Sequence, residues 1–71
     1  MDIESMDKIN IIIADPSKEQ LQNLITFFSS YENINIIAKC CDGAQLLSTL
    51  KNIQADFLIF DIFVVYILIR L

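Results

Sequence analysis

The chain has 71 residues, a net charge of −4 and 55% hydrophobic residues, with only five Lys and Arg. A chain of this length forms one small domain, which buries only about 60% of the surface that the unfolded chain exposes. So few basic residues leave no positive stripe to follow a phosphate backbone, which excludes nucleic-acid binding by this chain alone. The apolar content exceeds what a small monomer hides easily, so we expect a partner surface.

The sequence also disfavours three classes: disulfide-stabilised proteins, zinc-binding proteins and membrane proteins. Cys40 and Cys41 are adjacent and the chain has no His, which suits neither a disulfide framework nor a zinc cluster. We interpret both as free thiols that pack inside a cytoplasmic protein. Residues 1–7 lack the apolar run of a signal peptide and should form a flexible tail. The apolar run at the end of the sequence is shorter than the roughly 18 residues of a membrane span.

The first half of the chain predicts a buried strand and an amphipathic helix. Residues 8–15, KINIIIAD, are rich in β-branched side chains and apolar on both faces after Asn10, as in a strand of a parallel sheet. Ser17 followed by Gln20 is a capping-box pattern, which predicts that a helix begins there and runs to about Tyr31. Its apolar stripe should be formed by Leu21, Leu24, Ile25 and Phe28.

Residues 33–40 predict an edge strand, because their side chains partly alternate between an apolar and a wetter face. The apolar face would carry Ile34, Ile36, Ala38 and Cys40. The other face would carry Asn35, Ile37 and Lys39. One wet face is typical of a strand at the margin of a sheet, so we expect this strand to lie outermost.

The remaining segments complete an alternating pattern. Asp42 and Gly43 are interpreted as a turn in which Gly supplies a positive φ, and residues 44–51 have leucines at helical spacing. The apolar run that follows Asp56 predicts another doubly buried strand. Core spacing also predicts packing roles for Phe27, Phe28, Phe57 and Phe60. The order β-α-β-α-β with right-handed crossovers predicts an α/β fold with a parallel sheet in the order 2-1-3.

Two acids follow the strands that such a sheet makes neighbours. Asp15 ends the first strand, and Asp61 lies inside the closing apolar run. Adjacent strands are about 4.8 Å apart, so both carboxylates could reach one hard cation such as Mg²⁺ at the ligand-binding edge of the sheet. A metal ion and a phosphoryl group would keep Asp61 charged in apolar surroundings. The structural alternative for Asp15 is a helix-capping acid.

These motifs, in this order, resemble the receiver domain of bacterial two-component response regulators. The resemblance covers residues 8–62 and is carried by IIIAD, CDGAQLL and ADFLIFDI. Within the family, the regulator that governs the onset of sporulation looks most similar. The resemblance implies a CheY-like, flavodoxin-like fold and a signalling protein rather than an enzyme. Asp61 would accept a phosphoryl group from a histidine kinase or phosphotransferase, and Asp15, Asp61 and the backbone carbonyl of Phe63 would hold Mg²⁺.

The sequence departs from the family pattern in two places. Pro16 stands where receivers carry the second of two consecutive acids, which weakens the expected Mg²⁺ site. After Ile62 the sequence FVVYILIRL replaces the family's continuation, so the later hydroxyl residue, the later Lys and a DNA-binding output domain have no counterpart. A truncation or a shifted reading frame would produce this change. We therefore expect Asp61 to accept phosphate poorly, or to be an evolutionary remnant.

Three hypotheses for function follow. The leading hypothesis is a truncated receiver of a sporulation-type phosphorelay. In the second, the chain is an interaction fragment whose residues 63–71 join it to a second copy, most simply as a dimer, or to a full-length receiver that it blocks. In the third, which we do not favour because we expect no membrane partner, the apolar run binds lipid.

Overall fold

The computed structural model describes residues 8–60, which form five elements. The elements are β1 (Ile9–Ala14), α1 (Lys18–Ser29), β2 (Ile34–Cys40), α2 (Gly43–Asn52) and β3 (Phe57–Phe60). All three strands are parallel, in the order β2-β1-β3, which confirms the predicted fold class. The predicted N-terminal tail and C-terminal extension lie outside the described residues. No helix in the described range is both long and apolar enough to cross a membrane.

β1 is the central strand, and its alternating side chains enter two separate cores. On the α2 side of the sheet the buried cluster is Ile12, Ala14, Cys40 and Leu46. On the α1 side it is Ile11, Ile13 and Leu21. A strand with helices on both faces needs an apolar residue at every position. This requirement explains why IIIA is continuous rather than alternating.

α1 begins with half of the predicted capping box. The Oγ of Ser17 accepts a hydrogen bond from the backbone N–H of Gln20 at 3.2 Å, as expected of an N-cap. The N–H of Ser17, however, donates to Oδ1 of Asp15 at 2.9 Å, while the side-chain oxygen of Gln20 accepts from Asn23. The carboxylate of Asp15 therefore accepts from the Ser17 N–H, the donor that a capping box would pair with the side chain of Gln20.

β2 lies at the edge of the sheet, as predicted, but a bulge changes the faces of its side chains. Ile11 pairs with Ile36 and the next residue, Ile12, pairs with Ala38, so Ile37 is an extra residue in the strand. Before the bulge the apolar residues pack on the α1 side, namely Ile34 and Ile36. From the bulge onward they pack on the α2 side, namely Ile37, Ala38 and Cys40. The predicted single apolar face was wrong, because one strand contributes to both cores.

Cys40 and Cys41 are free thiols on opposite faces of the sheet. Cys40 is buried in the α2-side cluster, and its Sγ lies 3.5 Å from the hydroxyl of Thr49. Cys41 is partly buried and packs against the α1-side cluster. Their position confirms that both thiols are packing residues.

The start of α2 differs from the predicted turn. Gly43 is the first residue of the helix, and no glycine in the described range has a positive φ. Oδ1 of Asp42, the N-cap, accepts from the N–H of Gln45 at 2.7 Å. The Gln45 side chain in turn accepts from the N–H of Cys41 at 2.7 Å. Both bonds stabilise the start of this helix, but they are not a full capping box, because Gln45 accepts from the residue before the N-cap and not from the N-cap itself.

Candidate functional site

Asp15 lies at the carboxyl edge of the sheet, directly after β1. It is the only buried polar or charged side chain among residues 8–60, with 8% of its surface exposed. Its backbone N–H donates to the carbonyl of Cys40 at 3.0 Å, which ties it to the end of β2. Its Oδ1 accepts from the N–H of Ser17, which ties the carboxylate to the start of α1. The carboxylate is thus held in position by the elements on either side.

The geometry of Asp15 is compatible with both roles predicted for it. Among the described residues, only one hydrogen bond reaches its carboxylate, and it goes to Oδ1. A carboxylate offers about four lone-pair positions, so the same side chain can stabilise the start of α1 and bind a cation. Mg²⁺ is commonly bound by one or two protein carboxylates together with waters and a substrate phosphate. Asp15 therefore fits as one ligand of such an ion.

The other predicted ligands, Asp61 and Phe63, lie outside the described residues, so the structure does not bring the predicted set together. Within residues 8–60, no three His, Cys, Asp or Glu side chains are placed to hold a metal ion by themselves. Pro16, next to Asp15, is exposed and offers no carboxylate. The described part of the chain thus supplies one carboxylate to the proposed metal site.

Three of the four phenylalanines expected in the core are largely exposed. Phe28 packs against the α1-side cluster, whereas Phe27, Phe57 and Phe60 are 56%, 61% and 47% exposed. Phe27 instead makes edge contacts with the rings of Phe28 and Tyr31, at centroid distances of 5.0 and 5.5 Å. Within the described chain, β3 is consequently only partly buried on each face. Apolar periodicity could not reveal this exposure, because it does not report what lies beside a strand.

No family model matches the sequence. A solved structure is similar to the chain, namely the isolated REC (receiver) domain of RcsB from Salmonella enterica serovar Typhimurium, in the presence of the phosphomimetic BeF3⁻. The two share 28% sequence identity with a TM-score of 0.72, over 76% of this chain. The chain has the fold of a response-regulator receiver domain. It spans only 39% of the length of that relative, so it matches part of a receiver.

In a fold of this class, the sheet edge that carries Asp15 is the edge at which ligands bind. In open α/β sheets, ligands bind beyond the carboxyl ends of the strands, at the point where the winding reverses. In the order β2-β1-β3, that point lies between β1 and β3. The buried carboxylate of Asp15 follows β1 at this point, in agreement with the position predicted from the sequence.

Proposed function

We propose that the chain is part of a receiver in a two-component phosphorelay and that Asp61 is its phosphoacceptor. The pairing of β1 with β3 is the observation that carries this proposal. The last pair joins Ala14 to Phe60, and the next residue of each strand's sequence is an aspartate. Because parallel neighbours are about 4.8 Å apart, a continued register would set Asp61 beside Asp15.

The chemistry proposed for Asp61 is an in-line displacement at phosphorus. A carboxylate oxygen attacks the phosphoryl group of a phosphohistidine or of a small phosphodonor and forms a new P–O bond. The bond from phosphorus to the donor breaks, and its electron pair leaves with the donor. Mg²⁺, when bound, neutralises charge on the phosphoryl oxygens. Asp15 and the backbone carbonyl of Phe63 would hold the ion beside Asp61.

We further propose that acceptance is slow, because Pro16 removes one carboxylate from the metal site. Fewer anionic ligands weaken Mg²⁺ binding, and less of the developing charge is then neutralised. A histidine kinase or a phosphotransferase is the proposed donor. The assignment to a sporulation-type regulator rests on the resemblance of the quoted motifs alone.

A small phosphodonor tests the phosphoacceptor directly. The full chain is incubated with acetyl phosphate and Mg²⁺, and its intact mass is recorded over time. We expect a slow, partial gain of one phosphoryl group that needs Mg²⁺ and is lost in Asp61→Asn. Rapid and complete phosphorylation would contradict the proposed impairment. A modification that persists in Asp61→Asn would place the acceptor elsewhere.

Restoring the second acid tests the reason for the impairment. Pro16→Asp should raise the rate of phosphorylation at least about tenfold, because a second carboxylate would bind Mg²⁺ more tightly and the ion would then neutralise more of the developing charge. Ser17→Asp is the matched control, since it adds the same charge one residue further on and keeps a good N-cap residue. An equal gain from both variants would indicate a general effect of charge rather than a repaired metal site.

A second candidate function is that of an interaction fragment that associates with itself or with a full-length receiver. The exposed rings of Phe57 and Phe60 favour it, since about half of each of these large apolar side chains is left for a partner to cover. The sequence prediction placed the contact in residues 63–71, outside the described chain. Light scattering on the intact chain and on Val65→Lys/Ile67→Lys tests that placement, and an undisturbed dimer in the double variant would exclude it.

A further inference from the structure

The three residues between β1 and α1 form a closed turn at the carboxyl edge of the sheet. Oδ1 of Asp15 accepts from the N–H of Ser17, two residues further on, at 2.9 Å. This is an Asx-type turn, in which the aspartate side chain takes the place of a backbone carbonyl. Asp15 is buried, whereas Pro16, the residue inside the turn, is exposed. Pro16 is therefore not a core residue, and its main effect on the fold comes through the backbone.

Pro16 restricts two of the backbone torsions that the turn encloses. Its ring fixes its own φ at about −65°. The ring also excludes the helical region for the residue before it, which limits the ψ of Asp15 to extended values. The extended direction of the chain agrees with this limit, because the Asp15 N–H donates to the carbonyl of Cys40 at 3.0 Å and so lengthens the pairing of β1 with β2.

The turn holds the side chain of Asp15 as well as its backbone. A carboxylate whose Oδ1 is bonded to the N–H of Ser17 has restricted side-chain torsions, so the position of its other oxygen is restricted too. That oxygen, Oδ2, accepts no hydrogen bond from residues 8–60. Pro16 has no N–H that could compete for the carboxylate. The turn thus orders the carboxylate and leaves one oxygen available to a cation.

We propose that Pro16 is a positioning residue for Asp15, because it pre-organises the turn that orients this carboxylate before a divalent cation binds. The inference rests on the proposed function, in which Asp15 is a ligand of Mg²⁺. It assigns Pro16 two opposite effects on that site. Pro16 offers no carboxylate of its own, but it orders the one beside it. A ligand that is ordered in advance loses less conformational entropy on binding, which favours the bound state.

Pro16→Ala isolates the second effect, because it frees the backbone and adds no carboxylate. Titration of the full chain with Mg²⁺, followed by the backbone amide NMR signals of Asp15 and Ser17, gives the dissociation constant. We expect Pro16→Ala to raise this constant about two- to fivefold, the factor that corresponds to the restriction of a chain by one compatible proline. Pro16→Gly should raise it further, because glycine restricts the turn least.

Ser30→Ala is the control for a general loss of stability. Ser30 caps the opposite end of α1, where its Oγ donates to the carbonyl of Phe27 at 2.7 Å. Its substitution weakens the same helix far from Asp15 and changes no charge. Urea denaturation gives the free energy of unfolding of each variant. We expect Ser30→Ala to lower that free energy and to leave the Mg²⁺ dissociation constant unchanged.

Hydrogen exchange tests the turn in the absence of Mg²⁺. The amide of Ser17 should exchange faster in Pro16→Ala than in the intact chain. The amide of Leu21, which donates to the carbonyl of Ser17 at 2.8 Å in the first turn of α1, is the internal reference and should change less.

The outcomes separate this inference from the proposed function. If the intact chain and Pro16→Ala bind Mg²⁺ with the same dissociation constant, this inference is wrong and the metal site stands. If Ser30→Ala loses as much affinity as Pro16→Ala, the loss follows stability, and the positioning role is again wrong. An intact chain that binds no Mg²⁺ overturns the proposed metal site and this inference together.

Discussion

Asp15 has a structural role at the start of α1 and, in the proposed function, a second role as a metal ligand. Its Oδ1 accepts the N–H of Ser17, a bond that a neutral amide oxygen can also make, although more weakly than a carboxylate. The proposed metal ion, by contrast, depends on the negative charge of the carboxylate. The two roles can therefore be separated by a substitution that keeps the acceptor and removes the charge.

Asp15→Asn should leave stability nearly unchanged and abolish the response to Mg²⁺. The amide oxygen can still accept from Ser17, so the free energy of unfolding should fall by less than about 1 kcal/mol, mainly through the lost interaction with the α1 dipole. Urea unfolding with and without Mg²⁺ measures both effects, because a ligand that binds only the folded state raises its stability. Asp15→Ala, which loses both roles, is the control. A full Mg²⁺ response in Asp15→Asn would remove Asp15 from the metal site.

At the scale of the element, the bulge in β2 decides which side chains are buried. Regular alternation already places Ile37 opposite Ile36, on the α2 side. The bulge adds Ala38 and Cys40 to that side, since without it they would follow Ile34 and Ile36 onto the α1 side. The second half of this short edge strand therefore packs in the α2-side core, while Asn35 and Lys39 remain exposed.

Ile37→Asn should destabilise the protein, because the Ile37 side chain packs against the α2-side cluster, although the sequence pattern placed it on the wetter face of β2. The side chain is partly buried, so we expect a loss of about 1–2 kcal/mol in the free energy of unfolding. Lys39→Asn, two residues further along the strand and exposed, should change it by less than about 0.5 kcal/mol. Urea denaturation of the two variants gives the comparison. Equal, small effects would mean that Ile37 faces solvent.

At the scale of the whole molecule, β1 separates two cores that share little but the strand itself. Ile12 and Ile13 are both fully buried, yet they belong to different clusters on opposite faces of the sheet. A substitution in one core should therefore change the packing of the other core only slightly. In a domain this small, either core alone contributes much of the total stability.

The double substitution Ile12→Val/Ile13→Val measures how independent the cores are. Each single substitution removes one buried methyl group and should cost about 0.5–1.5 kcal/mol. Since the two side chains share no buried partner, we expect the two costs to add to within about 0.5 kcal/mol. Chemical denaturation of the two single variants and the double variant completes the cycle. A larger coupling energy would show that strain passes through β1 from one core to the other.

The order, type and approximate bounds of the elements could be predicted from the sequence, because they depend on neighbours in the chain. The continuous IIIA predicted a doubly covered strand, the helical spacing of leucines predicted two helices, and their alternation predicted the sheet order. The place of Asp15 at the carboxyl edge followed from the same pattern. Each of these features is set by local periodicity and chain connectivity, which the sequence contains directly.

The register of the strands and the burial of individual side chains were decided by the tertiary structure. The bulge at Ile37 is a property of the register between β2 and β1, which a single strand's sequence pattern does not contain. Asp15, by contrast, accepts from Ser17 only two residues further on, so its place at the start of α1 comes from a local Asx-type turn that the capping-box pattern did not include. Phe57 and Phe60 look like core residues in sequence, yet they are exposed, because burial depends on a neighbouring element and not on the apolar character of the side chain.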